Sequence, residues 1–435
     1  MDSVWSDTVK LPGFHALKGD IKSDVLIIGG GMVGILCAYF LEKAGVNYVL
    51  AERKQIGNGI TKNTTAKITS QHGLIYDKLI KKAGLEKAKM YLDANELAVR
   101  KFKELSGDIS CDFEEKDAYI YSLQNKNIIE KEINAVNKLM HKAQFTQTLP
   151  LPFDNIAGAV KFENQAQFHP IKFIAGISQK LNIYENTTVK EFIGNNTVTT
   201  GTGTIKADKI IVATHFPFLN KHGAYFLKLY QHRSYVIALE NAVDINGMYL
   251  EEKQNGLSFR NYHNLLFIGG GDHRTGKTGG NWEVLRDLAK NAYPNAVEKY
   301  AWATQDCMTL DDIPYIGNYS RAAPDLYVAA GFNKWGMTSS MVSAMILTDM
   351  ITGRKNEFAE VFSPDRSILK PQLLINGLTA VGNLLNFYKK RCPHMGCALK
   401  WNKVEQSWDC KCHGSRFEKH GELIDNPATA SIKFE

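Results

Sequence analysis

No run of about twenty apolar residues occurs anywhere in the 435-residue chain, so no helix is predicted to span a bilayer. The opening stretch, Met1 to Lys22, lacks the apolar core of a secretory signal, and the cytoplasm is the expected location. Charge of one sign is also sparse. The net charge of +7 is spread in short Lys pairs, which predicts a solvated basic surface and no nucleic-acid partner. Cysteine is nearly missing from the first 390 residues, where Cys37, Cys111 and Cys307 stand alone and read as small buried hydrophobes. What remains is ordinary globular composition, 44% apolar and 22% charged, over a length suited to two or three domains.

The first pattern with chemical content lies near the start. Asp24 to Ile28 is an apolar run suited to a buried parallel strand. It enters Gly29-Gly30-Gly31-Met32-Val33-Gly34, which fits G-x-G-x-x-G, then an amphipathic helix to Ala44 and a second strand ending at Glu52. Gly29 permits the tight turn, Gly31 lets backbone approach a pyrophosphate, and Gly34 lets helix and strand pack closely. The helix N-terminus offers free N–H groups to phosphates, and Glu52 can accept from a ribose hydroxyl. Strand, glycines, helix, strand and acid in this order predict a dinucleotide site.

A polar loop follows, Gly57-Asn58-Gly59-Ile60 through Asn63-Thr64-Thr65-Ala66-Lys67-Ile68-Thr69. Further on come Gln167-Phe168-His169-Pro170, Val189, Ile210-Ile211-Val212-Ala213-Thr214, Asp312 to Gly317, and Gly331-Phe332-Asn333-Lys334-Trp335-Gly336-Met337-Thr338. In this order the chain resembles the D-amino-acid-oxidase-like flavoproteins, which include glycine and sarcosine oxidases, over roughly residues 20 to 360. The resemblance implies FAD held by Gly29, Gly31, Met32, Val33, Gly34, Glu52, Arg53, Thr64, Thr65, Ala66, Lys67, Thr69, Val189, Ala213, Thr214, Gly331, Trp335, Gly336, Met337 and Thr338. It also implies that the turn before Thr338 aims N–H dipoles at the flavin and stabilises charge on the reduced ring.

Residues 85 to 150 are rich in helix-forming types, and 155 to 270 alternate apolar and polar runs, as a substrate domain on an antiparallel sheet would. The amino-acid oxidases of the family place a carboxylate-gripping Arg shortly before the segment matching Asp312 to Gly317. Here Trp302 to Asp306 has none, and Asp306 would repel a carboxylate. Arg260 and His273 are the weak catalytic candidates, Arg260 with a surface ion pair and His273 with a loop-holding role as the alternatives. Cys307 reads as a core cysteine rather than a covalent flavin link.

The remaining cysteines, Cys392, Cys397, Cys410 and Cys412, cluster near the end. Cys392-Pro393-His394 and Cys410-Lys411-Cys412-His413 give C-x-H, fifteen residues, then C-x-x-H. Two Cys and two His are the donors of a Rieske [2Fe–2S] centre: Cys392 and Cys410 for one iron, His394 and His413 for the other. The same donor set can hold zinc, but zinc fingers pair like ligands within each loop, whereas each loop here supplies one Cys and one His. Resemblance to the respiratory-type Rieske proteins implies a disulfide between Cys397 and Cys412. Ser415 stands where a hydroxyl could donate to a bridging sulfide, and Phe417 where high-potential members carry a Tyr hydroxyl. The base strands of a full Rieske domain are not evident ahead of Cys392. The tail therefore either docks on the flavoprotein or binds its cluster poorly. Gln372 to Tyr388, with Leu373, Leu374, Leu378, Val381, Leu384, Leu385 and Tyr388 at helical spacing, is read as a docking linker helix, with a membrane-surface helix as the less favoured reading.

The fold class expected is α/β plus α+β: a Rossmann-like FAD-binding domain with an antiparallel-sheet substrate domain, and a small all-β Rieske-like C-terminal segment. The flavoprotein would span 1–371, with nucleotide-binding parts near 20–80, 155–220 and 300–356 and the substrate domain near 85–150 and 220–300. A linker helix (372–390) and a shortened Rieske domain (391–435) would follow. The function implied is a FAD-dependent dehydrogenase. A hydride passes from an amine, amino-acid-like or hydroxy substrate to flavin, and electrons leave through the [2Fe–2S] cluster to an unidentified acceptor. Two alternatives stand beside it: a flavin oxidase using O2 with a structural tail, and a non-catalytic redox sensor.

Overall fold

The apolar run at 24–28 forms the strand Ile21–Ile28, in which Val25 to Ile28 are all buried. It is followed by the helix Met32–Lys43 and the strand Tyr48–Ala51. The computed structural model describes residues 3–194, 196–386 and 390–432. Among these residues the chain builds three sheets.

The first is an eight-stranded sheet whose main path runs Tyr315–Ser320, Ala323–Ala330, Thr204–Val212, Ile21–Ile28, Tyr48–Ala51, Ile183–Tyr184. The last five of these are parallel, with Ile28 level with Val212 on one side and Ala51 on the other. Their near-continuous apolar sequences fit burial under helices on both faces. The helices Met32–Lys43 and Gly336–Ile351 pack on one another there.

The second sheet has nine strands and is antiparallel except where Met248–Glu251 runs parallel to Glu114–Ser122. The strands Gly158–Gln167 and Val297–Met308 belong here, not in the nucleotide-binding parts expected at 155–220 and 300–356. The reason is pairing: Gly158–Gln167 runs along Glu114–Ser122, and Val297–Met308 along Tyr230–Glu240. The charged stretch 85–150 supplies the helix Lys126–Lys138, which packs on Gly158–Gln167 of this sheet, and the helix Leu85–Ser106, which packs on the helix Gly336–Ile351.

The third sheet is a four-stranded antiparallel meander, Leu399–Asn402, Ser407–Cys410, Arg416–Phe417 and Leu423–Asp425. Among the described residues only the bridge between Arg391 and Ala398 accompanies the first cysteine loop. The body supplies what the tail lacks. Gln231 Nε2 donates to the carbonyls of His413 (2.8 Å) and Asn426 (3.1 Å), and Gln305 Nε2 donates to that of Gly414 (2.9 Å). Arg274 donates to the carbonyls of Lys411 and Cys412. A buried ion network joins Arg233 of the body to Glu405, which also pairs with Arg416, itself bound to Asp409 and Asp425.

The helix Pro371–Leu384 touches the body, but not through its leucine stripe. The side it turns to the body is polar, with Asn376 its one buried residue, while Leu374, Leu378, Val381, Leu384 and Leu385 are exposed. Asn376 Oδ1 accepts from Arg274 and its amide donates to the Leu227 carbonyl, and these bonds fix which face turns inward. Tyr388, counted in the expected stripe, lies outside the described residues. No helix among the described residues is long and apolar enough to cross a membrane.

Candidate functional site

A cavity of about 470 Å3 opens where Ile28, Ala51 and Ala213 end their parallel strands, the position at which open α/β sheets bind ligands. Gly29, Gly31, Met32, Val33, Glu52, Arg53, Thr64, Val189, Ala213, Thr214, Gly336 and Met337 line it. The glycine turn is built as the sequence requires. Gly29 has φ +109°, and a Cβ on it would stand 2.6 Å from the Ala213 carbonyl oxygen. A Cβ on Gly34 would run into the Gly29 carbonyl, so Gly34 serves helix–strand packing and does not line the cavity. Gly31 caps the helix with no side-chain bond, and Glu52 Oε2 is held by the Gly30 N–H at 2.7 Å.

The other residues expected at the flavin lie just outside this cavity. Thr338 Oγ1 is 2.9 Å from His72 Nε2 and donates to the Thr69 carbonyl; Trp335 stacks on His72 at 4.9 Å. Burial pushes His72 down to about 3. Ala66 is left-handed (φ 52°), and its carbonyl, with that of Thr65, accepts from Arg260. Lys67 Nζ donates to the Tyr249 carbonyl, and burial first, then Arg260, lowers it to about 7. Gly331 (φ 75°) is closely faced by the Thr309 side chain.

In the tail, the Cys392 and Cys410 thiols are hydrogen-bonded to each other, which raises Cys392 and lowers Cys410 against its burial. The two imidazoles meet across them, His394 Nδ1 3.3 Å from His413 Nδ1. Burial lowers His394 to about 4 and His413 to about 3, so both stay neutral, the form that ligates. His394 Nε2 lies 3.0 Å from Asn220 Oδ1, and the Phe226 carbonyl bonds the His413 ring. Cys397 and Cys412 form a disulfide, with Cα atoms 6.6 Å apart. Cys397, Cys410 and Cys412 sulfurs lie within 4.8 Å of one another, but two of these are bonded to each other, which leaves Cys410 to act with Cys392. The buried Ser415 hydroxyl accepts from Ala428 N–H at 3.0 Å and bonds Cys392.

The sequence profile described as "FAD dependent oxidoreductase" matches residues 24–350. The chain belongs to that family. A second profile, "Rieske [2Fe-2S] domain", matches 367–434. The putative Rieske 2Fe-2S iron-sulfur protein YhfW of Bacillus subtilis is 35% identical over 99% of this chain and 97% of its own length. The cytochrome b6-f complex iron-sulfur subunit 2 of Trichormus variabilis is 43% identical over 10% of this chain and 24% of its own. Two solved structures share the fold: L-proline dehydrogenase from P. horikoshii (TM-score 0.68, 21% identity, 80% of this chain and 98% of that one) and glycine oxidase from Geobacillus kaustophilus (0.68, 19%, 80% and 99%).

This FAD-dependent oxidoreductase therefore has FAD and a [2Fe–2S] cluster as its cofactors. The residues present fit both. A Cβ on Gly29 would strike the Ala213 carbonyl, one on Gly31 would stand in the cavity that it lines, and His215, which also lines the cavity, has a buried Nε2 with no partner among the described residues. In the tail two thiols and two neutral imidazoles converge. Neither weak catalytic candidate lines the cavity. Arg260 is 1% exposed and holds backbone, not a surface ion pair; His273 Nδ1 is bonded to the Gly271 carbonyl and its ring stacks on Tyr235.

Several lining residues of this oxidoreductase were missed. Thr61, whose Oγ1 accepts from Met32 N–H, sits in the polar loop after Glu52, and His215 and Phe218 lie within four residues of Thr214. Glu418 and Leu423 to Asn426 come from the tail, where no local signal announced them. A charged group was also missed. Between lining residues Phe332 and Gly336, Lys334 (φ 76°) reaches Asp272 at 3.1 Å, and His232 Nδ1 reaches the same carboxylate at 3.0 Å. Asp306, level with His232, is raised to about 6 by burial, with Lys334 opposing.

Proposed function

We propose that the protein is a dehydrogenase that oxidises a CH–NH bond and sends the electrons inward to its own tail and on to an outside acceptor. One observation carries the reading. The segment 214–218 lines the dinucleotide cavity with Thr214, His215 and Phe218, while the ring of Phe216 in the same segment lies 6.3 Å from His394 and 6.2 Å from His413. Bound FAD takes electrons in pairs and a [2Fe–2S] cluster takes them singly, which is the chemical reason to house them together. Asn426 of the tail locks this segment by donating to the Phe216 carbonyl at 2.9 Å. With Asn220 and the Phe226 carbonyl on the imidazoles, the body holds both histidines at fixed orientation.

Proline dehydrogenase and glycine oxidase, by their names, act on amino acids, which supports nitrogen-bearing substrates. Asp272 and Asp306 sharpen that class. Neither lines the cavity itself, but Asp306 adds negative charge beside it that disfavours a substrate carboxylate, and the Lys334 ammonium that could grip one is already engaged by Asp272. The test is an anaerobic screen of primary and secondary amines and amino acids for bleaching of the flavin, run on the wild type and on Cys410→Ser. Bleaching in both, with reduction of a one-electron dye lost only in Cys410→Ser, is the expected result. Equal dye reduction by the two would favour an oxidase with a structural tail, and no bleaching by any compound would favour a sensor.

A further inference from the structure

The helix Pro371–Leu384 has its polarity reversed with respect to the protein. A surface helix ordinarily buries its apolar stripe. Here the leucine stripe faces out: Leu374 is 68% exposed, Leu378 66%, Val381 55% and Leu385 64%. Polar bonds hold the helix this way. Asn376 is tied to Arg274 and Gln372, Ala398 N–H donates to the Asn383 carbonyl, and Arg391 donates to the carbonyls of Leu384 and Gly396. The patch extends at one end to Leu369, 83% exposed. At the other it reaches the cysteine loop, where Gly396 adjoins Leu384 and Met395 is 40% exposed. Contiguous exposed apolar surface of this kind marks an interaction site.

We propose that this face rests on an anionic lipid surface. Residues 371–388 contain no Asp, Glu, Lys or Arg, yet Lys370 precedes them and Lys389, Lys390 and Arg391 follow. An uncharged apolar stripe bounded at both ends by cations matches a layer of acyl chains beneath anionic headgroups. Fourteen helical residues, about 21 Å, suit a helix lying in the plane of the headgroups. A second copy of the chain fits less well. Two heptads are short of the three or four that a coiled coil needs, and parallel pairing would bring the basic ends together. The proposal does not depend on the substrate or the electron route.

The full-length protein with both cofactors is sedimented with vesicles of phosphatidylcholine alone and of phosphatidylcholine with phosphatidylglycerol. Expected is co-sedimentation with the anionic vesicles only, weakened by salt. It should fall at least tenfold in Leu374→Ser/Leu378→Ser/Leu385→Ser with flavin absorbance and cluster EPR signal unchanged. The single change Leu378→Glu on the same face gives a second reading should the triple variant lose its cofactors. Wild type left in the supernatant, or bound equally by neutral vesicles, would overturn the proposal. So would a lipid-free dimer that either variant converts to monomer.

Discussion

At the scale of single residues, the glycine turn makes the sharpest demands. Gly34→Ala would force its Cβ against the Gly29 carbonyl, moving either the first helix or the strand beneath it. Purified Gly34→Ala should contain little FAD by absorbance, whereas Gly13→Ala, where a Cβ meets nothing within 4 Å, should be loaded as wild type. Asp306 makes a second, pH-dependent prediction. Its carboxyl is raised to about 6, so it becomes charged only as pH rises through that value. If it holds a cationic amine, KM should fall as pH rises through about 6. Asp306→Asn should remove that step and raise KM about tenfold at neutral pH, roughly 1.4 kcal/mol, with kcat little changed. A KM–pH profile identical in the two proteins would remove Asp306 from substrate binding.

At the scale of elements, the tail depends on partners far away in the chain. Glu405 is its principal ionic anchor. Burial would raise this carboxyl, but Arg233 and Arg416 outweigh burial and hold it at about 2, below the ordinary value of about 4.3. A group depressed in this way contributes stability that is complete above its unfolded value and is lost as pH falls through the folded one, here between about 4 and 2. Protease should therefore release the tail as pH falls across that window. Glu405→Gln, which leaves buried Arg233 without its anion, should release it already at neutral pH, at a cost of about 3–5 kcal/mol. The docking was not legible in the sequence for a physical reason. It rests on Gln231, Arg233, Arg274, Gln305 and Asn426, single polar residues with no periodicity and up to 212 positions between partners. The strand, glycine turn and helix at 21–43 were legible because their logic is local. The helix Pro371–Leu384 was legible as a helix, but leucine spacing alone cannot say which side the protein takes, and Asn376 decided it.

At the scale of the whole molecule, two cofactor sites that read as separate segments form one unit. Tail residues Leu423 to Asn426 close the dinucleotide cavity, and body residues Asn220 and Phe226 hold the histidines. The two Cys and two His that the fold brings together were legible as a donor set from type and spacing, while the contact of Phe216 with both imidazoles arises only on folding. Exchanging Phe216 for Ala should leave FAD and cluster in place and slow transfer between them, as the ring between the two sites is removed. The central claim, that electrons pass within one chain from flavin to cluster, has a direct measurement. The wild type is mixed anaerobically with an amine that bleaches its flavin, and rapid-freeze EPR follows the cluster over a tenfold range of protein concentration. The account predicts a reduced Rieske signal that appears after bleaching at a rate independent of concentration. A flavin that stays reduced beside an oxidised cluster, or a rate proportional to protein concentration, would contradict it.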